Sequence, residues 1–396
     1  MIKSLAKRSS LYFLGLLVGK ALSFAVFILF ARVLLPEVFG DFILFVTIVQ
    51  LVTFIADFGL IQWYQKQAST QSSPKLFSLV IQARITTFLI SIPLTIIFLT
   101  VTRTFVPFSV NLLLLSVIFF EAILSVSDGY YLEKNKSFVV ALKTLLRMSA
   151  LLVFYLILKP STLQMASFYY LISTVITALF YCPWKSIKIE AISIKTSLST
   201  LKNSSAYAII IFTSFFYSRG DSLLIGYMIN SSALGIYSAA YRFLESLNLM
   251  GTAVSHNLFP IAAKNNGINL KQTIYITSLF FILGIFLALA LFFGAEILIL
   301  TLLGSAYGSA SAVLRIFSIA LVFFLINSPL STVVQSSKLV KLFLPFGVTN
   351  TLLNIILNII FIPFFGIEAA AWCMVFTEIS GTIINIYFVK KIYASS

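Results

Sequence analysis

The chain has 396 residues, of which 60% are apolar and 10% charged, with a formal net charge of +15 and a mean hydropathy of +1.05. Such a composition excludes a soluble globular protein and leaves almost nothing for a separate soluble catalytic domain. The two cysteines, Cys182 and Cys373, lie far apart on different apolar runs, which excludes a disulfide framework and a cysteine-based zinc site.

Taken in order, twelve apolar runs read as membrane spans: 10–33, 42–61, 76–101, 108–128, 137–158, 162–182, 204–228, 234–259, 275–299, 312–336, 341–362 and 367–389. A bilayer core about 30 Å thick takes roughly 20 helical residues, whereas barrel strands would alternate over about 10. The runs are continuous, so the expected fold is all-α, a polytopic membrane protein of about twelve helices. Lys3, Lys7 and Arg8 precede the first run, but its length and lack of a small-residue cleavage site mark a retained helix.

The longest polar connection, 183–203, alternates Lys with Ile and Leu. It reads equally as an amphipathic surface helix or as a solvated linker. It divides six spans from six, predicting bundles over 1–182 and 204–396. A faint echo supports the division: RVLLPEVFGDF follows the first span and GYMINSSALGIY the seventh, placing Gly40 and Gly235 in equivalent turns. Six spans per half imply a parallel pseudo-repeat.

The net charge, which in a soluble protein would suggest nucleic acid, is here a statement of topology. One set of connections, with both termini, carries seventeen Lys and Arg; the opposite set carries Arg32, Arg103 and Lys159. The positive-inside bias therefore predicts cytoplasmic termini and no nucleic-acid partner.

Ionisable groups inside spans are expensive, and each is a functional candidate. The basic ones are Lys20, Arg84, Lys143, Arg147, Arg219, Arg242 and Arg315. The acidic ones are Asp57, Glu121, Asp128, Asp221, Glu245, Glu296 and Glu378. Helical spacing gives the fourth span an acidic stripe (Glu121, Asp128) and the fifth a basic one (Lys143, Arg147). Counted from the span ends, Glu121 meets Lys143 and Asp57 meets Arg84. Arg242 and Glu245 share a face of the eighth span, close in depth to Asp221, while Arg219 and Asp221 point in different directions.

Functionally, Lys20, Arg84, Lys143, Arg147, Arg219 and Arg242 would line a net-basic cavity for a phosphate- or carboxylate-bearing substrate. Asp57, Glu121, Asp221, Glu245 and Glu378 are candidates for a coupling ion. The structural alternative is that these charges lock helices together or snorkel to the interface. Asn350, Asn354 and Asn358 form a polar stripe that faces either a pathway or a neighbouring helix. The lone histidine, His256, reads as packed or interfacial, and no aromatic residue is assigned to ligand stacking.

Phosphate-binding loops, metal clusters and nucleophile elbows are absent, so the sequence points to a transporter without cofactors rather than an enzyme. The enzymatic rival, a membrane polysaccharide polymerase or ligase, would be expected to carry a large extracytoplasmic loop, and the outer connections are about ten residues or fewer. A cation-coupled drug antiporter is the other rival, and seven basic residues within spans argue against cationic cargo.

The stretch ARVLLPEVFGDFILFVTIVQLVTFIADFGLIQ, residues 31–62, resembles the opening of polysaccharide flippases of the O-antigen type through Arg32, Pro36, Phe39, Gly40, Asp57, Phe58 and Gly59. SRGDSLLIGYMINSSALGIYSAAYRF, residues 218–243, is similar to that family's seventh and eighth helices through Asp221, Gly235, Tyr237 and Arg242. FGIEAAAWCMVFTE, residues 365–378, resembles its last helix pair.

The resemblance implies the multidrug/oligosaccharidyl-lipid/polysaccharide exporter fold, two six-helix bundles about a central cavity, in a bacterial inner membrane. The implied substrate is an undecaprenyl-pyrophosphate-linked repeat unit for lipopolysaccharide, capsule or exopolysaccharide, moved between leaflets by alternating access. Implied partners are membrane lipid and the polymerase and chain-length proteins of the same pathway.

Overall fold

A computed structural model describes residues 2–70, 74–101, 107–134, 136–186, 193–262 and 268–394. Arg103, Lys188 and Lys264 of the charge count, the stretch 187–192 of the polar connection, and the side chains of Lys3, Lys7, Arg8, Lys75 and His256 lie outside the described residues.

The described residues are helical nearly throughout. The helices are α1 (Ile2–Asp57), α2 (Leu60–Thr70), α3 (Pro74–Val101), α4 (Phe108–Glu133), α5 (Ser137–Ile157), α6 (Leu163–Tyr181), α7 (Ile194–Met228), α8 (Ser231–Ala262), α9 (Leu270–Leu302), α10 (Ala310–Ser336) and α11 (Val340–Ala394). Short 3-10 turns occupy Trp184–Ser186 and Ser305–Tyr307. Among the described residues nine helices are long and apolar enough to cross a bilayer, and α8 is not one of them. The protein is a multi-pass membrane protein. Helix α9 shows the lipid-facing extreme: Phe286, Phe293 and Ile297 are all exposed, which only a hydrocarbon surround makes tolerable.

The two longest helices each contain one non-helical residue. In α1 it is Leu35, at φ 62 and ψ 165. Pro36 follows, and its ring disfavours the α region for the residue before it while its own fixed φ suits a new first turn. In α11 the break is Gly366, at φ 66, three residues after Pro363. Both breaks fall where the sequence places an outer turn between spans.

The chain divides into two compact units, residues 1–34 with 41–218, and residues 35–40 with 219–396. The division falls inside α7, beyond the 183–203 connection. In the first unit α6 packs on α4 and α5, burying Ala166, Tyr170, Ala178 and Tyr181. Its Ser173, Thr174 and Thr177 hydroxyls return to carbonyls one turn back, so they are satisfied within the helix. Gly15 and Gly19, a small-xxx-small pair, let α1 approach α5: a Cβ on Gly15 would lie 2.9 Å from that of Ala141.

In the second unit α10 is the hub, flanked by α8, α9 and α11, with Leu314, Phe317, Leu321 and Leu325 buried. The start of the post-Pro36 helix crosses the start of α8 here. A Cβ on Gly40 would strike the Ser231 carbonyl oxygen, and one on Gly235 the Pro36 carbonyl oxygen. The two glycines that echo each other in sequence are thus the point of backbone contact.

Candidate functional site

Six of the first unit's intramembrane charges fall into three pairs. Asp57 ends α1 and is followed by two left-handed residues, Phe58 (φ 46) and Gly59 (φ 75), so the D-F-G motif is a tight corner into α2. The backbone amides of Gly59 and Ile61 face the Asp57 carboxylate across this corner. Gly59 is required: a Cβ there would sit 2.6 Å from Tyr207 Cβ and 2.7 Å from Ala208 N on α7. Arg84 reaches Asp57 Oδ1 at 3.8 Å while donating to Thr53 O (3.2 Å) and Ser125 Oγ (2.8 Å), and it is only 3% exposed. The expected meeting of Asp57 and Arg84 is therefore present.

The α4–α5 hairpin pairs differently from expectation. Lys143 donates to Asp128 at 2.5 Å and Arg147 to Glu121, whereas the sequence reading joined Lys143 to Glu121. The reason is register. Helix α4 continues to Glu133, five residues beyond the expected span end. At about 1.5 Å per residue, Asp128 then lies roughly 7.5 Å from the hairpin end and Lys143 roughly 9 Å. Glu121 and Arg147 fall deeper, roughly 18 and 15 Å from it. Tyrosines complete both pairs: Tyr181 Oη donates to Asp128 at 2.6 Å, and the Arg147 guanidinium stands 5.4 Å from the Tyr170 ring centroid.

The second unit holds a different arrangement on α7 and α8. Arg219 Nη2 lies 3.3 Å from Glu245 Oε1, and Arg242 Nη1 lies 2.8 Å from Glu245 Oε2. Two guanidinium groups thus share one carboxylate, and Arg219 also sits 5.5 Å from the centroid of Tyr241. Side-chain exposures of 15%, 11% and 24% leave all three partly accessible. Asp221, two residues from Arg219, turns the other way: it accepts from Tyr237 Oη and from Ser222 N (2.7 Å), in a pocket where Tyr237 is fully buried.

Glu378 is buried on α11, where Asn327 Nδ2 donates to it at 2.8 Å and Asn385 Nδ2 donates in turn to Asn327 Oδ1 at 3.1 Å. The asparagine stripe of the same helix bonds across to the other arm of α11: Asn350 Nδ2 to Thr377 O (3.0 Å) and Asn354 Nδ2 to Thr377 Oγ1 (3.0 Å). Those amides hold two helical arms together. Lys20 is exposed on α1, and Arg315 forms a surface pair with Glu296 at 3.3 Å, with side chains 41% and 64% exposed.

Sequence reasoning missed Tyr170, Tyr181 and Tyr241 beside the charges, and Asn327. The signal was present on α8, where Tyr237, Tyr241 and Glu245 recur at i, i+4 and i+8 with Arg242 one turn from Glu245.

Residues 5–266 match a family described as polysaccharide biosynthesis protein. A probable low-salt glycan biosynthesis flippase of Haloferax volcanii, Agl15, is 26% identical over 404 residues, covering 98% of this chain and 84% of that protein. A probable flippase of the same organism, AglR, is 28% identical over 44% of this chain and 38% of its own length. Among solved structures, the lipid II flippase MurJ in an inward closed conformation superimposes with a TM-score of 0.77 at 18% identity, covering 97% of this chain and 90% of that one. An inward-facing multidrug resistance transporter of the MATE family in the MOP superfamily gives 0.67 at 15% identity, with 95% of each chain covered.

Proposed function

The chain belongs to the polysaccharide biosynthesis protein family, and from that premise we propose that it is a flippase for lipid-linked oligosaccharide. The cargo is an undecaprenyl-pyrophosphate-linked repeat unit of an O-antigen, capsule or exopolysaccharide. It crosses the bacterial inner membrane by alternating access, with both termini of the protein in the cytoplasm. The polymerase and chain-length proteins of the same pathway act next on the product.

The observation that carries this reading is the Arg219–Glu245–Arg242 trio, in which two guanidinium groups share one carboxylate. A planar guanidinium presents five N–H donors, and a pair of them converging at one place suits adjacent phosphate groups. The first-unit cations Arg84, Lys143 and Arg147 each face a carboxylate of their own, so their contribution is to hold helices in register. Asp57, Glu121, Asp221, Glu245 and Glu378 are the carboxylates proposed for a coupling ion.

The test is the distribution of lipid-linked oligosaccharide between leaflets in a deletion strain, complemented with parent, Arg219→Gln or Arg242→Gln. Complete, unpolymerised units trapped on the cytoplasmic side, with rescue by parent and at least tenfold weaker rescue by both variants at equal membrane abundance, are expected. Units that reach the far leaflet in the deletion strain would overturn the reading in favour of a polymerase.

A further inference from the structure

A groove of about 290 Å³ lies between α3 and α4 in the first unit. Ile81, Ile85 and Phe88 of α3 form one wall and Phe119 and Ile123 of α4 the other, each set spaced one helical turn apart. At one end Phe88 and Phe119 meet edge to face, with centroids 5.6 Å apart. At the other end stands Trp184, 45% exposed, from the 3-10 turn after α6. The side of the groove is the Arg84 side chain, whose buried Nε has no hydrogen-bond partner.

The Trp184 end is also the charged end. Ser186 of the same turn is within 2.8 Å of Tyr130 Oη, and Lys134 Nζ donates to that Oη at 2.6 Å. Lys134 and Lys185 are both exposed there. An apolar slot between helices, with an interfacial tryptophan and lysines at its mouth, matches an amphiphile with an anionic head group.

We propose that this groove holds the polyprenyl chain of the lipid-linked substrate, with its phosphate at Lys134 and Lys185. The inference rests on the flippase reading given above and adds where the lipid is held. Two features favour a polyprenyl lipid over a phospholipid. A polyprenyl lipid brings one chain per head group into the slot between α3 and α4, whereas a phospholipid brings two. The walls repeat at the helical pitch of about 5.4 Å. That is close to the roughly 5 Å length of a four-carbon isoprene repeat built from carbon–carbon bonds of about 1.5 Å. The Trp184 end is cytoplasmic on the proposed topology, the side from which the substrate is loaded.

The experiment uses the full chain in phospholipid nanodiscs, with p-benzoylphenylalanine replacing Phe119 in the groove or, as a control, the lipid-exposed Phe293 of α9. A long-chain polyprenyl monophosphate is the probe, and adducts are weighed after illumination. The inference expects a polyprenyl adduct at least tenfold stronger at position 119 than at 293. Filling the groove with Ile123→Trp should reduce it severalfold. So should the surface pair Lys134→Gln with Lys185→Gln, which leaves the packing untouched if Ile123→Trp does not fold. Equal labelling at both positions, or phospholipid adducts alone at 119, overturns it. Normal leaflet transfer of oligosaccharide without the adduct would defeat this inference and leave the flippase reading standing. The adduct without transfer would support the lipid site while defeating that reading.

Discussion

Replacing Glu121 by glutamine strips the buried Arg147 guanidinium of its carboxylate and leaves it the face of Tyr170. Both side chains are largely shielded, at 16% and 14% exposure. Breaking a buried pair by removing one partner costs about 3–5 kcal/mol, because the remaining charge stays desolvated. For a unit of this size each kcal/mol moves the melting temperature by roughly 2–4 °C, so Glu121→Gln should lower it by at least about 6 °C. Arg147→Met should cost a similar amount through the stranded Glu121. The double variant removes both charges and should recover most of the loss, ending within about 1–2 kcal/mol of the parent. Thermal unfolding of the purified protein in detergent, followed by size exclusion, reads all four corners of the cycle. Additive losses in the double variant, or unchanged melting in both single variants, would refute the assignment of this pair to helix locking.

Other consequences are as direct. Gly40→Ala and Gly235→Ala each drive a Cβ into a backbone carbonyl and should cost about 1–3 kcal/mol of overpacking, visible as lost monodisperse protein, whereas Gly347→Ala, with nothing nearby, should be silent. Tyr64→Phe removes a 2.5 Å bond to Glu133 between α2 and α4, worth about 1.5–3 kcal/mol for a charged acceptor. Burial, then Glu133, pushes the Tyr64 hydroxyl above its usual range. The contribution is therefore complete below the ordinary tyrosine pKa and fades as pH rises from there toward the folded value. The melting difference between parent and variant should stay constant from neutral pH up to that range. Cys182 is buried, so maleimide should label it negligibly in the folded protein and fully after denaturation.

The membrane-spanning, all-helical character was readable from composition and run length alone, because in hydrocarbon a backbone that cannot bond to water must bond to itself. The turns at Leu35–Pro36 and Gly366 were readable for a local reason, since proline and glycine restrict or free φ wherever they stand. The resemblance carried by residues 31–62 and 218–243 likewise led to the family that residues 5–266 match.

Pairing of the charges was not readable in the same way. Periodicity put Glu121 and Asp128 on one face and Lys143 and Arg147 on another, but a five-residue error in the end of α4 exchanged the partners. Helix period fixes angle within a helix, whereas the register between two helices depends on where the chain turns. Composition and period alone placed costly charges in the spans and assigned them to faces. Packing alone set Asp57 beside Arg84, joined two arms of one helix through Asn354, and brought two arginines to Glu245. Those pairings join residues distant in the chain, and their geometry is set by packing that local pattern does not encode.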